Sequence, residues 1–390
     1  MTAGQQFRGG CFLIEGVNSF ATVIYFNYLY FYFRDQFGFD NKQNLLLAAF
    51  LGLIYTIASW QGGRLAARIG YFTALKAGFA VMAAGLLVGS QLQTVAGVIT
   101  AASVITAGVC LIWPTLEALI SKSGDPASSV GLYNVIWAAA NALGYFIGGT
   151  LIENFGYHAI FWLPFALMVA QLAVVFWLQT LPVLVDPHEP GNLPHAPEPG
   201  RPSPAEARSF KHMAWLANPF AYIAINTLLA VIPGIAKNFH LSPMLAGFTC
   251  SLWCFVRFGM FVALWRWTGW HYRFRWLAAA FGLLILSFAV ILVTPNLALL
   301  LAAQILFGGA IGLMYYSSLF YAMDASDATS EHGGIHEAAI GLGNCVGPAV
   351  GAAALQFAPQ VLGGGAIAVS VLLLCGFGGL VAIRRNNRPG

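Results

Sequence analysis

The chain has 390 residues, of which 59% are apolar and only 8% are charged, and its formal net charge is +4. A soluble domain carries about 25% charged residues, so this composition excludes an ordinary soluble globule and predicts a multi-pass protein embedded in a lipid bilayer. The basic residues are scattered over short loops and are not gathered on one face, which argues against a nucleic-acid partner.

Twelve apolar segments are long enough to cross a hydrocarbon core, which takes about 20 residues. We number them spans 1 to 12 and expect them at 9–33, 43–63, 72–91, 94–120, 129–152, 158–180, 214–236, 243–265, 274–294, 297–323, 333–356 and 361–383. The sequence therefore predicts an all-α membrane protein with 12 transmembrane helices.

A proline-rich segment separates spans 6 and 7. Eight of the 18 prolines lie between Pro182 and Pro204, and proline favours an extended, solvated backbone that cannot cross a bilayer. We therefore predict a six-helix bundle over residues 1–181, a linker over 182–212 and a second six-helix bundle over 213–390.

Positive charges predict the orientation of the spans. If both termini lie inside the cell, the inner segments hold fourteen lysines and arginines, and the outer loops hold only Arg34, Lys42 and Lys237. Cytoplasmic loops are the ones enriched in such residues. We expect both termini and the linker to be cytoplasmic, in the plasma or inner membrane of the cell.

The two halves of the chain resemble each other in sequence. Residues 141–149 align with 344–352 at an offset of 203, and residues 110–115 align with 312–317 at an offset of 202. Two six-span repeats joined by a linker on one side of the membrane run parallel, which predicts a pseudo-two-fold axis along the membrane normal.

The loop between spans 2 and 3 reads Gly-Arg-Leu-Ala-Ala-Arg-Ile-Gly-Tyr over residues 63–71. It resembles the signature Gly-x-Leu-Ala-Asp-Arg-x-Gly-Arg of the major facilitator superfamily of secondary transporters, and the resemblance extends over essentially the whole chain. The loop departs from that signature at Ala67, where the family has Asp, and at Tyr71, where it has a basic residue. The resemblance implies two helical bundles that rock around a site near the midplane, which is alternating access.

The family's Asp helps to latch the cytoplasmic side, so its loss at Ala67 raises the question of a replacement. An acidic run that includes Asp327 and Glu331 precedes span 11. It is either an ordinary solvated loop or the partner of Arg64 and Arg68 in a cytoplasmic gate.

Ionisable residues inside the spans are the main candidates for function, because a charge near the bilayer centre costs at least about 2.5–3.5 kcal/mol. These residues are Glu15, Glu117, Arg257 and Glu337. Arg257 lies roughly 13 Å deep and keeps its proton, so it needs an anion, either Glu337 or the acid group of a solute. Glu15 and Glu337 are the candidates for proton coupling, since a carboxylate buried away from water can bind and release a proton.

Polar and aromatic residues at helical spacing predict the faces that line a passage. Glu15, Asn18, Thr22 and Tyr25 recur at intervals of three, four and three on span 1. Aromatic rings beside polar groups suit an organic solute. The predicted solute-binding residues are Asn18, Tyr25, Trp113, Asn134, Trp137, Asn141, Trp253, Arg257, Tyr315, Tyr316 and Asn344.

Other chemistry is not indicated. The six cysteines lie in apolar runs and are expected to pack as small free residues. His332 and His336 are four residues apart and could form a metal pair or a proton relay, but we expect no metal and no cofactor. The motifs of serine hydrolases, zinc proteases and ATP-binding loops are missing, so we expect no enzyme.

We therefore expect a monomeric secondary active transporter of a small organic solute that works by proton symport. An uncoupled facilitator and an exporter of amphipathic compounds are the alternatives. A non-transporting receptor or an intramembrane enzyme is a more remote one. The sequence does not name the solute or the direction of transport.

Overall fold

The structure is a computed structural model that describes residues 2–121, 126–182, 203–324, 330–361 and 363–386. Over these residues the chain is helical and has no strand. The helices are α1 (Ala3–Phe37), α2 (Asn41–Ile69), α3 (Tyr71–Gly89), α4 (Val95–Ser121), α5 (Pro126–Phe155), α6 (Ala159–Gln179), α7 (Pro204–Asn238), α8 (Pro243–Cys250), α9 (Leu252–Arg266), α10 (Phe274–Val293), α11 (Leu297–Asp324), α12 (Ser330–Phe357) and α13 (Gly364–Asn386). Twelve helical segments are long and apolar enough to cross a membrane. The predicted all-α fold with 12 spans is confirmed.

Spans 1 to 7 are α1 to α7, span 8 consists of α8 and α9, and spans 9 to 12 are α10 to α13. Span 8 differs from the uninterrupted helix that its apolar run predicts. The helix breaks at Ser251, whose carbonyl oxygen accepts hydrogen bonds from the amides of both Cys254 and Phe255. No proline stands at this point, but the Ser251 hydroxyl donates to the Phe248 carbonyl oxygen at 3.3 Å, a type of contact that often bends helices.

Short polar motifs explain where the helices begin. Asp40 forms a capping box with Gln43 at the start of span 2. Ser203 caps span 7, whose first helical residue is Pro204, the position that proline favours. Span 7 thus begins nine residues before the predicted second bundle and takes up the end of the predicted linker. Residues 183–202 of that linker lie outside the described part of the chain.

The same pairs of spans pack together in both halves of the chain. Span 1 packs on spans 5 and 6, span 4 on spans 2 and 3, and span 3 on span 6. The corresponding pairs of the second half, numbered six higher, also pack together. Between the halves, span 2 packs on span 11 and span 5 packs on span 8. These two contacts are equivalent, because span 8 corresponds to span 2 and span 11 to span 5. This is the pattern that a two-fold relation between the halves requires.

We call the contact of span 2 with span 11 and of span 5 with span 8 the seam. Glycines bring the helices close together there, as in other membrane helix pairs. A Cβ atom on Gly52 of span 2 would lie 2.5 Å from the carbonyl carbon of Asn344 and the amide nitrogen of Cys345. A Cβ atom on Gly149 of span 5 would collide with the carbonyl oxygen of Pro243 on span 8.

Two names fix the ends of the bundle. The linker side carries Gln179 at the end of span 6 and Pro204 at the start of span 7, and it is the side predicted to be cytoplasmic. The far side carries Phe37 at the end of span 1 and Asn238 at the end of span 7.

Candidate functional site

A cavity of about 170 Å³ lies between the two halves, where spans 1, 2, 4 and 5 meet spans 7, 8, 10 and 11. Pockets for drug-sized ligands measure roughly 300–1,000 Å³, so this cavity suits a small solute. Eight of the predicted site residues line it: Trp113, Trp137, Asn141, Trp253, Arg257, Tyr315, Glu337 and Asn344.

The cavity lining is itself duplicated. Nine pairs of residues related by an offset of 199, 202 or 203 both face the cavity, one member from each half. These pairs are Val23 and Tyr222, Phe26 and Ile225, Asn27 and Asn226, Tyr30 and Leu229, Gly52 and Cys254, Tyr55 and Arg257, Trp113 and Tyr315, Trp137 and Ile340, and Asn141 and Asn344. The cavity therefore lies where equivalent surfaces of the two repeats face each other.

Arg257 is a buried cation in this cavity, with a side chain only 4% exposed. Its guanidinium lies over the indole rings of Trp137, at 4.3 Å, and Trp253, at 5.0 Å. In the described part of the chain no carboxylate lies within 4 Å of it, and its Nε and Nη2 atoms have no hydrogen-bond partner. The predicted pairing of Arg257 with Glu337 is therefore not formed.

Glu337 has another partner, from the opposite half of the chain. The hydroxyl of Tyr55, on span 2, donates a hydrogen bond to the Glu337 carboxylate, on span 11. Tyr55 also lies beside Trp113, with ring centroids 6.2 Å apart. The hydrogen bond crosses the seam, so it joins a cavity carboxylate to the contact between the halves.

Glu15 is fully buried on the linker side of the cavity and does not line it. The Ser19 hydroxyl donates to Glu15 Oε1 at 2.6 Å, and the polar groups of Tyr133 and Trp113 face the same carboxyl group. Glu15, Glu117 and Glu337 lie close enough to one another to interact electrostatically. Spans 1, 4 and 11 thus bring three carboxyl groups together.

Stacked aromatic rings join the halves next to Arg257. Trp137 of span 5 stacks on Tyr315 of span 10 with ring centroids 4.9 Å apart, and Phe261 of span 8 stacks on Tyr315 at 5.7 Å. Phe261 lies about one helical turn nearer the linker side than Arg257. The stack therefore joins the two halves beside Arg257, with Phe261 on its linker side.

Four predicted binding residues, Asn18, Tyr25, Asn134 and Tyr316, do not line the cavity. Tyr25 packs edge-on against Phe161 of span 6, and Tyr316 packs against Phe261 and Trp270. Neighbours such as Tyr315 and Tyr316 point about 100° apart on a helix, and here Tyr315 faces the cavity while Tyr316 faces Trp270. The polar stripe of span 1 faces its own half, except at Thr22.

Several cavity residues were not predicted, notably Asn27, Tyr55 and Asn226. The side chain of Asn226 donates a hydrogen bond to the Asn344 side chain. Tyr55 could have been found from the repeat, because an offset of 202 places it on Arg257. Asn27 and Asn226, isolated polar residues in apolar spans, are likewise repeat mates at an offset of 199.

Polar contacts also join the halves on the far side. Arg34 of span 1 donates to the carbonyl oxygen of Pro233 on span 7 and forms an ion pair with Asp35 at 2.7 Å. Asp35 in turn accepts a hydrogen bond from Tyr157, and burial together with this carboxylate raises the pKa of the Tyr157 hydroxyl. Tyr157 therefore stays protonated and holds Asp35 in place.

The predicted cytoplasmic gate is only partly described. Arg64 lies over the ring of Trp60 at 4.6 Å, and Arg68 is exposed. Asp327 lies outside the described residues, as does the side chain of Glu331. The pairing of these groups stays a prediction.

The histidines show no metal site in the described part of the chain. His336 is buried, with its ring centroid 6.2 Å from that of Tyr315, while the side chain of His332 is not described. The described residues contain no group of three histidine, cysteine or acidic side chains that could hold a metal ion.

Solved structures share this fold over almost the whole chain. The human organic anion transporter MFSD10 (TETRAN) has a TM-score of 0.69 and 15% identity, with 97% of this chain and 100% of that chain covered. The nucleoside transporter NupG has a TM-score of 0.70 and 12% identity, with 98% of each chain covered. The peptide transporter POT has a TM-score of 0.69 and 17% identity, with 97% and 94% covered. Identities this low show a common fold and do not transfer a solute.

Sequence comparison gives the family. No curated protein matches the chain significantly. The profile described as Major Facilitator Superfamily, however, matches residues 11–352, which is most of the chain. The chain therefore belongs to the Major Facilitator Superfamily, a family of membrane transporters and not of enzymes.

Proposed function

We propose that the chain is a secondary active transporter that moves a small organic solute across the cell membrane by alternating access and works as a monomer. The observation that carries this proposal is the cavity between the halves, which repeat-related residues of both halves line. A site at the interface of two parallel repeats is accessible from either side when one repeat rocks against the other.

Two sets of contacts would alternate in such a cycle. Separation of Trp137 from Tyr315 would open the cavity to the linker side, and separation of Arg34 from Pro233 would open it to the far side. Each contact joins a span of the first half to a span of the second. The glycines of the seam, such as Gly52 and Gly149, let the helices stay close between these two ends while the halves rock.

Proton coupling is assigned to Glu337 and Glu15. Support comes from the place of Glu337, which lines the cavity and accepts a hydrogen bond across the seam. Gain of a proton by this carboxyl group alters both the charge of the cavity and one contact between the halves. Glu15 is close enough to Glu337 to interact with it electrostatically, and it lies nearer the linker side.

The test begins with a thermal-unfolding screen of the purified protein against small metabolites, since ligands stabilise the folded state by mass action. The strongest ligand is then offered to proteoliposomes with and without a proton gradient. We expect accumulation that a protonophore abolishes. Glu15→Gln and Glu337→Gln should each lose accumulation, while exchange of labelled for unlabelled solute is retained. The control is Glu206→Gln, at the start of span 7 and away from the cavity. Normal accumulation by Glu15→Gln would remove that residue from the coupling mechanism.

An uncoupled facilitator is the second candidate, because Tyr55 and Ser19 give Glu337 and Glu15 hydrogen bonds that a purely structural role would also explain. In that case the solute equilibrates without accumulating, and the protonophore has no effect. Export of an amphipathic compound would instead appear as uptake into everted vesicles.

A further inference from the structure

The strongest unexplained feature of the cavity is the lack of a balancing charge for Arg257. An arginine does not give up its proton in a protein, so the side chain is a permanent cation. It is buried near the middle of span 8, where an ionised group is costly unless it is paired. No acidic side chain of the described residues lies within 4 Å of it. Glu337, the one acidic residue among the described residues that line the cavity, accepts a hydrogen bond from Tyr55 instead.

The neighbours of Arg257 hold the guanidinium and leave one of its edges buried without a hydrogen-bond partner. The rings of Trp137 and Trp253 interact with the cation through their faces, which stabilises the charge without using its N–H donors. Two of its nitrogens, Nε and Nη2, are buried and have no hydrogen-bond partner. Their N–H bonds run parallel along a single edge of the guanidinium, and this is the pair that binds both oxygens of a carboxylate.

The remaining lining restricts what the rest of the solute can be. Among the described residues that line the cavity, Arg257 is the one lysine or arginine and Glu337 the one acid. A second acid group would therefore find no cation and would face the Glu337 carboxyl group. Apolar side chains such as Phe26, Leu51 and Leu229 line the cavity as well.

We infer that the solute is a small organic anion with one carboxylate, which binds the unpartnered edge of Arg257 between Trp137 and Trp253 once this edge is uncovered, while an apolar body fills the rest of the cavity. The inference rests on the proposed function in so far as the ligand is a transported solute. It adds the chemical class of that solute and the residue that recognises it.

The experiment uses matched acids and amides on the purified full-length protein in detergent. The probes are benzoate, phenylacetate and lactate, each beside benzamide, phenylacetamide and lactamide, at about pH 7, where the acids are ionised. The readout is the shift of the unfolding temperature with probe concentration, from which the dissociation constant follows. We expect at least one acid to stabilise the protein and its amide to do so far less. Equal stabilisation by acid and amide, or no stabilisation by any acid, overturns the inference.

Variants then test the residue. Charge-assisted hydrogen bonds to a carboxylate are worth enough that Arg257→Gln should weaken binding of the best acid roughly 10- to 100-fold. Arg257→Lys, which keeps the charge but loses the paired donors, should fall between that variant and the parent. The control is Arg266→Gln, nine residues further along the same span and exposed. It should bind like the parent, and a loss as large as in Arg257→Gln overturns the assignment. If Arg257→Gln does not fold, Arg257→Lys and the acid–amide pairs decide.

One comparison fixes the charge of the solute. Phenylalanine is hydrocinnamate with an added ammonium group, which would lose its hydration in the cavity and whose one acidic partner among the described lining residues, Glu337, is already hydrogen-bonded to Tyr55. We expect hydrocinnamate to stabilise the protein more than phenylalanine does, and the reverse order overturns the assignment of a monoanion. Because these are binding measurements, they are independent of the proton gradient. Carboxylate binding without accumulation would contradict proton coupling alone, and proton-driven uptake of an uncharged solute would contradict the anion alone.

Discussion

Tyr55 of the first half donates a hydrogen bond to Glu337 of the second half, and Tyr55 is also the repeat mate of Arg257. The position that carries the cavity cation in the second repeat thus carries, in the first, the donor that binds the cavity carboxylate. At an offset of 203, Glu337 itself falls on Asn134, a neutral residue. Both charged residues of the cavity therefore belong to the second half, and the first half supplies neutral partners.

We expect Tyr55→Phe to destabilise the protein, because it removes the hydrogen bond to Glu337 while leaving the ring in place. A hydrogen bond to a charged group is worth about 1.5–3 kcal/mol. The measurement is the thermal or denaturant unfolding of the purified variant. Tyr145→Phe is the matched control, since that hydroxyl is buried and has no hydrogen-bond partner among the described residues. It should be neutral or stabilising, and equal losses in both variants would refute the special role of Tyr55.

The seam makes a second prediction through its glycines. Gly149→Ala places a methyl group against the Pro243 carbonyl oxygen, so spans 5 and 8 must separate on the far side. Overpacking of this kind costs about 1–3 kcal/mol. Gly259→Ala, on span 8, meets no atom within 4 Å and should gain about 0.5–1 kcal/mol from its better helix propensity. Unfolding midpoints of the two variants should therefore move in opposite directions. If both rise, the seam is not packed as described.

The fold was predictable because it depends on the lengths of apolar runs and on a repeat, both of which can be read directly from the sequence. Runs of apolar residues long enough to cross a bilayer give the number of spans, and the offset between 141–149 and 344–352 gives the relation of the halves. The break of span 8 at Ser251 was not predictable. No proline marks it, and side-chain bonds such as that of Ser251 to the Phe248 carbonyl oxygen also occur in unbroken helices, as at Thr227 and Ser287.

The site was predictable in part. Residues that stand out within one span could be predicted, whereas contacts that depend on how helices are rotated or placed could not. Arg257 stands out because a charge is rare inside a span, and Trp137 because Asn134 and Asn141 flank it at helical spacing. Both line the cavity. The choice between Tyr315 and Tyr316 requires the rotation of one helix about its axis. The bond of Tyr55 to Glu337 requires the relative position of two helices from different halves, which apolar periodicity does not encode.

Charge reversal tests the cytoplasmic gate. If Arg68 pairs with Glu331 and replaces the latch lost at Ala67, Arg68→Glu should impair transport by placing like charges across the seam. Adding Glu331→Arg should restore it, because the pair is then re-formed with opposite signs. Uptake into proteoliposomes measures both variants. Failure of the second substitution to rescue the first would remove Glu331 from the predicted gate.

Arg34 makes the clearest prediction about conformation, because its contact with the Pro233 carbonyl oxygen joins the halves on the far side. Arg34→Gln removes the charge that makes this contact and also the ion pair with Asp35. The equilibrium should shift toward the far-side-open state roughly tenfold or more, the equivalent of one charged hydrogen bond. Cys254 reports the shift, since it lines the cavity and is only 2% exposed in this structure. Its labelling by a hydrophilic maleimide, read by mass spectrometry, should accelerate in Arg34→Gln and change little in Lys237→Gln. Lys237 is a far-side cation of the same sign, so equal acceleration in both variants would assign the effect to surface charge and not to the Arg34 contact.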